Sequence, residues 1–489
     1  MRNKLLSKSK YISGLQCPKY LWMLVNSPKE IPQPDAETQY IFDQGHKVGE
    51  LATKLYPDGI YLVTDDFMDN IWQTKDGLKK HKPLFEAGIF ADGLYSRLDI
   101  LNPVGRNKWD IIEVKSSTSL KDVNIHDVSF QKLCCDRVGI KIRKCKLAYV
   151  NNQYVKNGEI DPKEFFIIED ITSQVEGASE GIEDRVSYML EVISGETCPE
   201  SDIGKHCCDP YDCMLLEKCW EFLPENNIFD LRGGKTKQFS LFEQGILSIK
   251  DIPDGIVLSR QQQIQRECVI TGNTHVEKGE IRQFLDKLEY PLYYLDFETI
   301  GPAIPIYDGM RPYQTIPFQF SLHVVEGDNS KPIHYEFLAD GKEDPRPELL
   351  SELYRLLGFE GSIIAYNSGF EEGVLMKLIE AFPEYTKWYR DILVRIVDLL
   401  KPFSNFHFYH VSQKDTASLK KVLPAVTGKG YEEMGIGAGM DASIAYERIT
   451  YNYATEDERS KVRADLLKYC KLDTEGMIWI IDKLREICR

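Results

Sequence analysis

The run YYLDFETI, residues 293–300, sets two carboxylates two positions apart in an otherwise apolar stretch. Side chains alternate along a strand, so Asp296 and Glu298 share one face. Charges in such a run must be solvated or strongly held, because an unpaired buried carboxylate is costly. Downstream, IIAYNSGFEEGVL reads as a strand end followed by a helix start carrying Asn367, Phe370 and Glu371. Near the C-terminus, Tyr469 and Asp473 in LLKYCKLDTEGM are four residues apart, hence one turn and one face of a helix. Strands followed by helices from 289 onward predict a mixed sheet with helical cover, an α/β arrangement.

A chain of 489 residues exceeds what one core supports and divides into two or three domains. Changes of pattern set the expected boundaries at 1–222, 223–288 and 289–489. The first segment reads as helix, sheet, helix, strand, with a hairpin turn at Pro103 and Gly105. The second reads as a helical connector, similar to half of a helix-hairpin-helix, a module that offers backbone amides to phosphate. No apolar run reaches the roughly 20 residues a membrane helix needs, and the start lacks an apolar signal region, so a cytoplasmic protein with no membrane partner is expected. The net charge of −16 means that any nucleic-acid binding relies on local basic groups. The two candidates are Lys4, Lys8, Lys10 and Lys19, and the stretch Lys141, Arg143, Lys144 and Lys146.

In KWDIIEVKSS, Glu113 and Lys115 fall on one strand face, and Asp99 of SRLDIL is expected on the partner strand. Two carboxylates on adjacent strands suit Mg2+ or Mn2+. A lysine beside them suits water orientation and charge stabilisation at a phosphate. Twelve cysteines without a secretory signal point to reduced thiols or metal ligands. Cys17 lies alone in GLQCPKYLW, whereas Cys207, Cys213 and Cys219 recur in HCCDPYDCMLLEKCW, with Cys208 as an alternative to Cys207 and Cys198 a lesser one. No C-x-x-C knuckle of the usual zinc kind occurs here.

Glu-x-Lys with Gln131 on the following helix resembles the PD-(D/E)XK motif of RecB-type nucleases. The one-plus-three cysteine pattern resembles the iron-sulfur staple of RecB-like and CRISPR-associated members. The resemblance implies a restriction-endonuclease-like domain in which Asp99, Glu113, Lys115 and Gln131 are catalytic, Asp99 and Glu113 hold metal, and Cys17, Cys207, Cys213 and Cys219 hold a [4Fe-4S] cluster. Two positions depart from the family. Gly49 stands where a metal-reaching His is usual, with His46 and Glu50 as neighbours, and Cys135 stands where Tyr is usual.

The C-terminal motifs resemble the DEDDy signature of DnaQ-like, RNase H-like exonucleases. That resemblance assigns Asp296, Glu298 and Asp473 to metal, Glu371 to the place usually held by Asp, and Tyr469 to the attacking water. Asp398 is expected as a helix cap and Lys420 as a phosphate contact. Together the halves are similar to a prokaryotic family of unknown function that fuses the two nuclease types. The resemblance implies a metal-dependent nuclease acting on nucleic acid, DNA before RNA, in repair or defence, its C-terminal centre working 3'-to-5'. An RNA 3'-to-5' exonuclease with the first domain as platform, and a non-catalytic nucleic-acid-binding subunit, are the alternatives. Protein partners are not legible.

Overall fold

The structure, a computed structural model, describes residues 4–489 except 63, 65, 432, 433 and 438. It is mixed α/β and divides into two compact units. One comprises residues 1–221 with 302–314; the other comprises 222–301 with 315–489. Residues 223–288 thus group with the C-terminal unit, and a short segment following the Asp296 strand groups with the N-terminal one. Among the described residues no helix is long and apolar enough to cross a membrane.

In the first unit, strands β1 (Leu6–Ser7), β2 (Ile60–Tyr61), β3 (Leu84–Ala91), β4 (Leu94–Val104), β5 (Lys108–Lys115), β6 (Ile142–Val150) and β7 (Phe166–Asp170) form one sheet. Its order is β2-β3-β4-β5-β6-β7, with β1 pairing in parallel to β4. Alternation along the strands gives the sheet two apolar faces. Leu84, Leu98, Ile111 and Leu147 meet Tyr11 and Phe130 from helices on one side. Phe85, Ile100, Ile112 and Ala148 meet Val48 and Leu51 on the other. The hairpin differs from the sequence expectation in one respect. Pro103 lies within β4, opposite Trp109, and the turn follows at Gly105. Proline is tolerated there because β3 stops pairing at Leu101, so no neighbour asks for an N–H.

In the second unit, β8 (His275–Val276) pairs with β14 (Phe408–Tyr409). The main sheet consists of β9 (Leu292–Ile300), β10 (Ile316–Val325), β11 (Ile333–Leu338), β12 (Ser362–Ala365) and β13 (Ile396–Asp398). Its order is β11-β10-β9-β12-β13; the first two pairings are antiparallel and the last two parallel. Strand β9 is therefore central, and both its faces are covered. Tyr293, Leu295 and Phe297 pack against helices Arg346–Leu356 and Gly369–Ala381. Leu292 and Tyr294 share a core with Met477, Ile481 and Leu484 of the 33-residue helix Glu456–Cys488. Period 2 consequently turns Asp296 and Glu298 toward that long helix.

The loop entering β12 is fixed by Gly361, whose φ of +82° belongs to the left-handed region and whose missing Cβ would stand 2.0 Å from the Pro291 carbonyl oxygen. Alanine there is excluded by backbone conformation and by backbone contact alike. Gly361→Ala is expected to cost about 2–4 kcal/mol in urea unfolding. Gly373→Ala, inside a helix with open space around it, should be neutral or stabilising by about 0.5–1 kcal/mol. Equal midpoints for the two variants would contradict this account of the loop.

Candidate active sites

Helix Glu456–Cys488 starts on a Thr455 cap, whose side chain accepts from the Glu458 N–H, and carries Tyr469 and Asp473 one turn apart. Asp473 meets the β9 pair: ligand oxygens of Asp296, Glu298 and Asp473 all lie within 4.8 Å of one another. Among the described residues this is the one group of three or more His, Cys, Asp or Glu side chains so closely gathered. It forms part of the wall of an open cleft of about 420 Å3, which Tyr469, Lys420 and Phe370 also line.

Three carboxylates this close cannot all be ionised cheaply away from water. Burial, reinforced by Asp473, pushes Asp296 and Glu298 well above the carboxylate range. Asp473 is pushed up to about 7 by burial, tempered by a hydrogen bond from the Tyr431 hydroxyl and by the Lys420 charge. Lys420 lies over the rings of Tyr469 and Tyr431, 5.2 and 5.8 Å from their centroids. The Cys470 thiol donates to Asp296 Oδ2 at 3.3 Å.

Glu371 sits in the first turn of helix Gly369–Ala381, 2% exposed and outside the close trio. Its charge adds to the upward push on Asp296. Burial moves its own carboxyl up to about 8, and its Oε2 has no hydrogen-bond partner among the described residues. A buried acceptor left unpaired suits a water or ion supplied from outside the chain. Asp398 is not a helix cap. It ends β13, and its Oδ1 accepts from the Asn367 and Leu400 N–H groups at 3.0 Å, tying two loops beside the cleft. The next helix begins only at Lys401, beyond its reach as a cap.

In the first unit, β4 and β5 set Asp99 and Glu113 beside one another, and helix Asp122–Arg137 supplies Gln131. Gln131 Nε2 donates to Glu113 Oε2 at 2.6 Å, and Lys115 Nζ donates to Glu113 Oε1 at 2.6 Å. Two participants were not placed at this site from the sequence, where Lys8 stood only among the basic groups offered to nucleic acid. Asp127 accepts from Lys115 at 2.8 Å and from Gln131 at 3.1 Å. Lys8 donates to Glu113 Oε1 at 2.9 Å. Asp127 could have been found as the residue one helical turn before Gln131. Lys8 lies 105 residues from Glu113, and no local pattern links them. Burial pushes Glu113 up, but the Lys115 and Lys8 ammonium groups override it and hold the carboxyl well below its usual range. Asp99 is pushed up to about 7 by burial and the Glu113 charge.

Lys8, Asp99, Glu113 and Lys115 line a cleft of about 1000 Å3 together with Gly45, His46, Gly49 and Glu50 of helix Ala36–Thr53. A Cβ at Gly49 would meet nothing within 4 Å, so the cleft wall is bare at this position. Cys135 is buried in the core. The basic stretch 141–146 is largely ion-paired: Arg143 and Lys146 hold Asp110, and Lys144 holds Asp170.

Cys17, Cys207, Cys213 and Cys219 line one pocket; Cys198 and Cys208 do not. Gln16 Nε2 donates to the His206 and Tyr211 carbonyls at 2.8 and 2.6 Å, drawing the two cysteine segments together. Burial pushes the Cys213 thiol up to about 11, with Cys17, Cys207 and Cys219 adding to it. No three of these sulfurs fall within the 4.8 Å that gathers the acidic trio. Tetrahedral zinc, with Zn–S of about 2.3 Å, draws thiolates to about 3.8 Å.

A family model for a domain of unknown function, DUF2779, matches residues 293–418, which include Asp296, Glu298, Glu371 and Asp398. An uncharacterized protein of Mycoplasma pneumoniae is 27% identical over 221 residues, covering 41% of this chain and 33% of the relative. Uncharacterized proteins of Mycoplasma genitalium, 25% identical over 224 residues, and Ureaplasma parvum, 27% over 221, match 42% and 39% of the chain and 33% and 31% of their own lengths. The chain spans about a third of the length of the curated relatives it matches.

The acidic trio makes stability depend on pH in a defined direction. A carboxyl that holds its proton more tightly folded than unfolded stabilises the fold at low pH and loses that contribution as pH rises through its folded value. With Asp473 at about 7 and unfolded Asp near 3.9, the loss falls between about pH 4 and pH 7. Metal-stripped protein is expected to show this decline in melting temperature, and Asp473→Asn to flatten it. Identical pH slopes for the two proteins in EDTA would refute the arrangement.

Proposed function

We propose that the chain is a metal-dependent nuclease with two hydrolytic centres. The N-terminal unit is read as PD-(D/E)XK-like with an iron-sulfur staple, the C-terminal unit as an RNase H-like 3'-to-5' exonuclease. The observation that carries the proposal is the convergence of Asp296, Glu298 and Asp473 at an open cleft beside Tyr469. The donor set is all carboxylate oxygen, which suits Mg2+ or Mn2+. The unpaired Oε2 of Glu371 suits a further ligand or a bridging water. When bound, such ions supply the Lewis acidity that activates water and stabilises the leaving oxygen.

The chain's own groups divide the remaining work. Asp296, Glu298 and Asp473 hold the ions, and the Tyr431 hydroxyl steadies Asp473. Tyr469, facing the cleft, orients the attacking water. Lys420 offers positive charge to the phosphodiester, and Phe370, 43% exposed in the cleft wall, offers a face for a base. In the N-terminal unit Asp99 and Glu113 would hold the ion, Lys115 would face the phosphate and Gln131 would fix Glu113. DNA is the favoured substrate, in repair or defence within the cytoplasm.

Labelled DNA and RNA strands, digested with Mg2+ or Mn2+ by wild type, Asp296→Asn and Lys115→Ala, test the reading. Asp296→Asn is expected to abolish 3'-to-5' shortening, a loss of about a thousandfold or more, while leaving any cleavage by the first centre. Lys115→Ala should do the reverse. RNA shortening alone, insensitive to Lys115→Ala, would point to an RNA exonuclease with a binding platform. Tight metal-independent binding without cleavage would point to a non-catalytic subunit.

The thiol quartet gives a separate expectation. Anaerobically purified protein should show broad visible absorption with iron and sulfide near four each per chain, by the stoichiometry of a [4Fe-4S] cluster. Cys213→Ser should lose most of the absorption and lower the melting temperature. Colourless anaerobic protein carrying one zinc per chain would overturn the cluster assignment.

A further inference from the structure

The oxygens of the first centre are almost fully committed. Glu113 Oε2 receives Gln131, and Asp99 Oδ2 receives the Val114 N–H at 2.7 Å. Glu113 Oε1, which also accepts from Lys115 at 2.6 Å, and Asp99 Oδ1 remain to face an ion. The Lys8 ammonium stands at those two atoms, 2.9 and 3.8 Å away, and 3.9 Å from Asp127 Oδ1. Lys115 shares Glu113 Oε1 at 2.6 Å, but its second ion pair is to Asp127 Oδ2, whereas Lys8 reaches Asp99 and so spans the two carboxylates.

We propose that Lys8 is the resident cation of this centre, holding the place between Asp99 and Glu113 that a divalent ion takes, so that metal enters by displacing its ammonium group. The inference rests on the reading of Asp99 and Glu113 as a metal-binding pair. A divalent ion binds carboxylate oxygens at about 2.0–2.6 Å, and a second cation on the same two oxygens would repel it at close range.

The means of withdrawal are present. Lys8 opens helix Lys8–Gln16 behind a Ser7 cap, and the preceding Leu6–Ser7 pairs with Leu94–Tyr95, so the backbone is anchored. Its side chain is 24% exposed and lines the large cleft, which gives the displaced group room to move. Because the anchor is fixed, the freed ammonium stays in the cleft where a phosphodiester would lie. Metal entry is thereby coupled to the exposure of a positive charge toward substrate, and the carboxylates stay compensated before metal arrives.

The test is Mn2+ binding to the full-length chain with the second centre silenced by Asp296→Asn and Asp473→Asn. Removing the competing charge in Lys8→Met is expected to tighten Mn2+ binding by about tenfold or more, and Lys8→Arg to leave it close to the parent. Equal affinity of parent and Lys8→Met would overturn the role of Lys8 and leave the metal-binding reading standing. Absence of Mn2+ binding from the parent, Lys8→Met and Glu113→Gln alike would overturn both. An arm that needs no substitution uses amine labelling read by mass spectrometry. Saturating Mn2+ should raise the labelling of Lys8 severalfold, and unchanged labelling with Mn2+ bound would overturn the displacement.

Discussion

Asp296, Glu298 and Asp473 repel one another where water screens them poorly, and the architecture of the second unit is what holds them there. Two unit charges about 4 Å apart at an effective dielectric of about 20 interact by about 4 kcal/mol, more than any one surface interaction returns. A strand at a sheet edge would relieve that repulsion by fraying. Strand β9 cannot, because β10 and β12 pair with it on both sides and both its faces are covered. The long helix cannot retreat either, since Met477, Ile481 and Leu484 anchor it in the core just beyond Asp473. Protons or cations must therefore neutralise the site, and in metal-free protein the raised carboxyls do so with protons.

The first centre resolves the same problem by other means. Lys8 and Lys115 stand among Asp99, Glu113 and Asp127, so Glu113 stays ionised under the same burial that protonates the β9 pair. In the first site ammonium groups keep Glu113 ionised while Asp99 is raised to about 7, and in the second the carboxyls are neutralised by exchangeable protons. On the proposed reading, the first would take metal in competition with a tethered cation and the second in competition with hydrogen ions, so their responses to pH and to divalent ions would differ.

What the sequence disclosed follows from the range over which each interaction acts. Period 2 put Asp296 and Glu298 on one face, and helical spacing did the same for Tyr469 and Asp473; both are local rules, and each pair holds its place in the structure. The meeting of those pairs came from the order of motifs and not from any local rule. The parts played by Tyr431, Lys8 and Asp398 were not readable, because each joins residues from separate elements through hydrogen bonds or ion pairs that no local spacing announces. Pro103 was misassigned because its tolerance in β4 depends on where a different strand ends. The grouping of residues 302–314 with the first unit was likewise invisible, since their composition resembles any loop.

The thiol pocket and the first carboxylate site meet on one short helix. Lys8 opens helix Lys8–Gln16, Cys17 follows its last residue, and nine residues at 1.5 Å each separate the two ends by about 13 Å. Tyr11 in its middle stacks on Phe130, on the helix that supplies Gln131 and Asp127, with ring centroids 4.9 Å apart. Gln16 then ties the far end to the His206 and Tyr211 carbonyls. A rod held at both ends and in the middle has little freedom to rotate, so the direction in which Lys8 projects depends on how firmly the cysteine segments are joined. On the proposed reading, closing the thiol quartet around a cluster would fix one end of that rod, and the staple would then help place a charge at the first site as well as brace the fold.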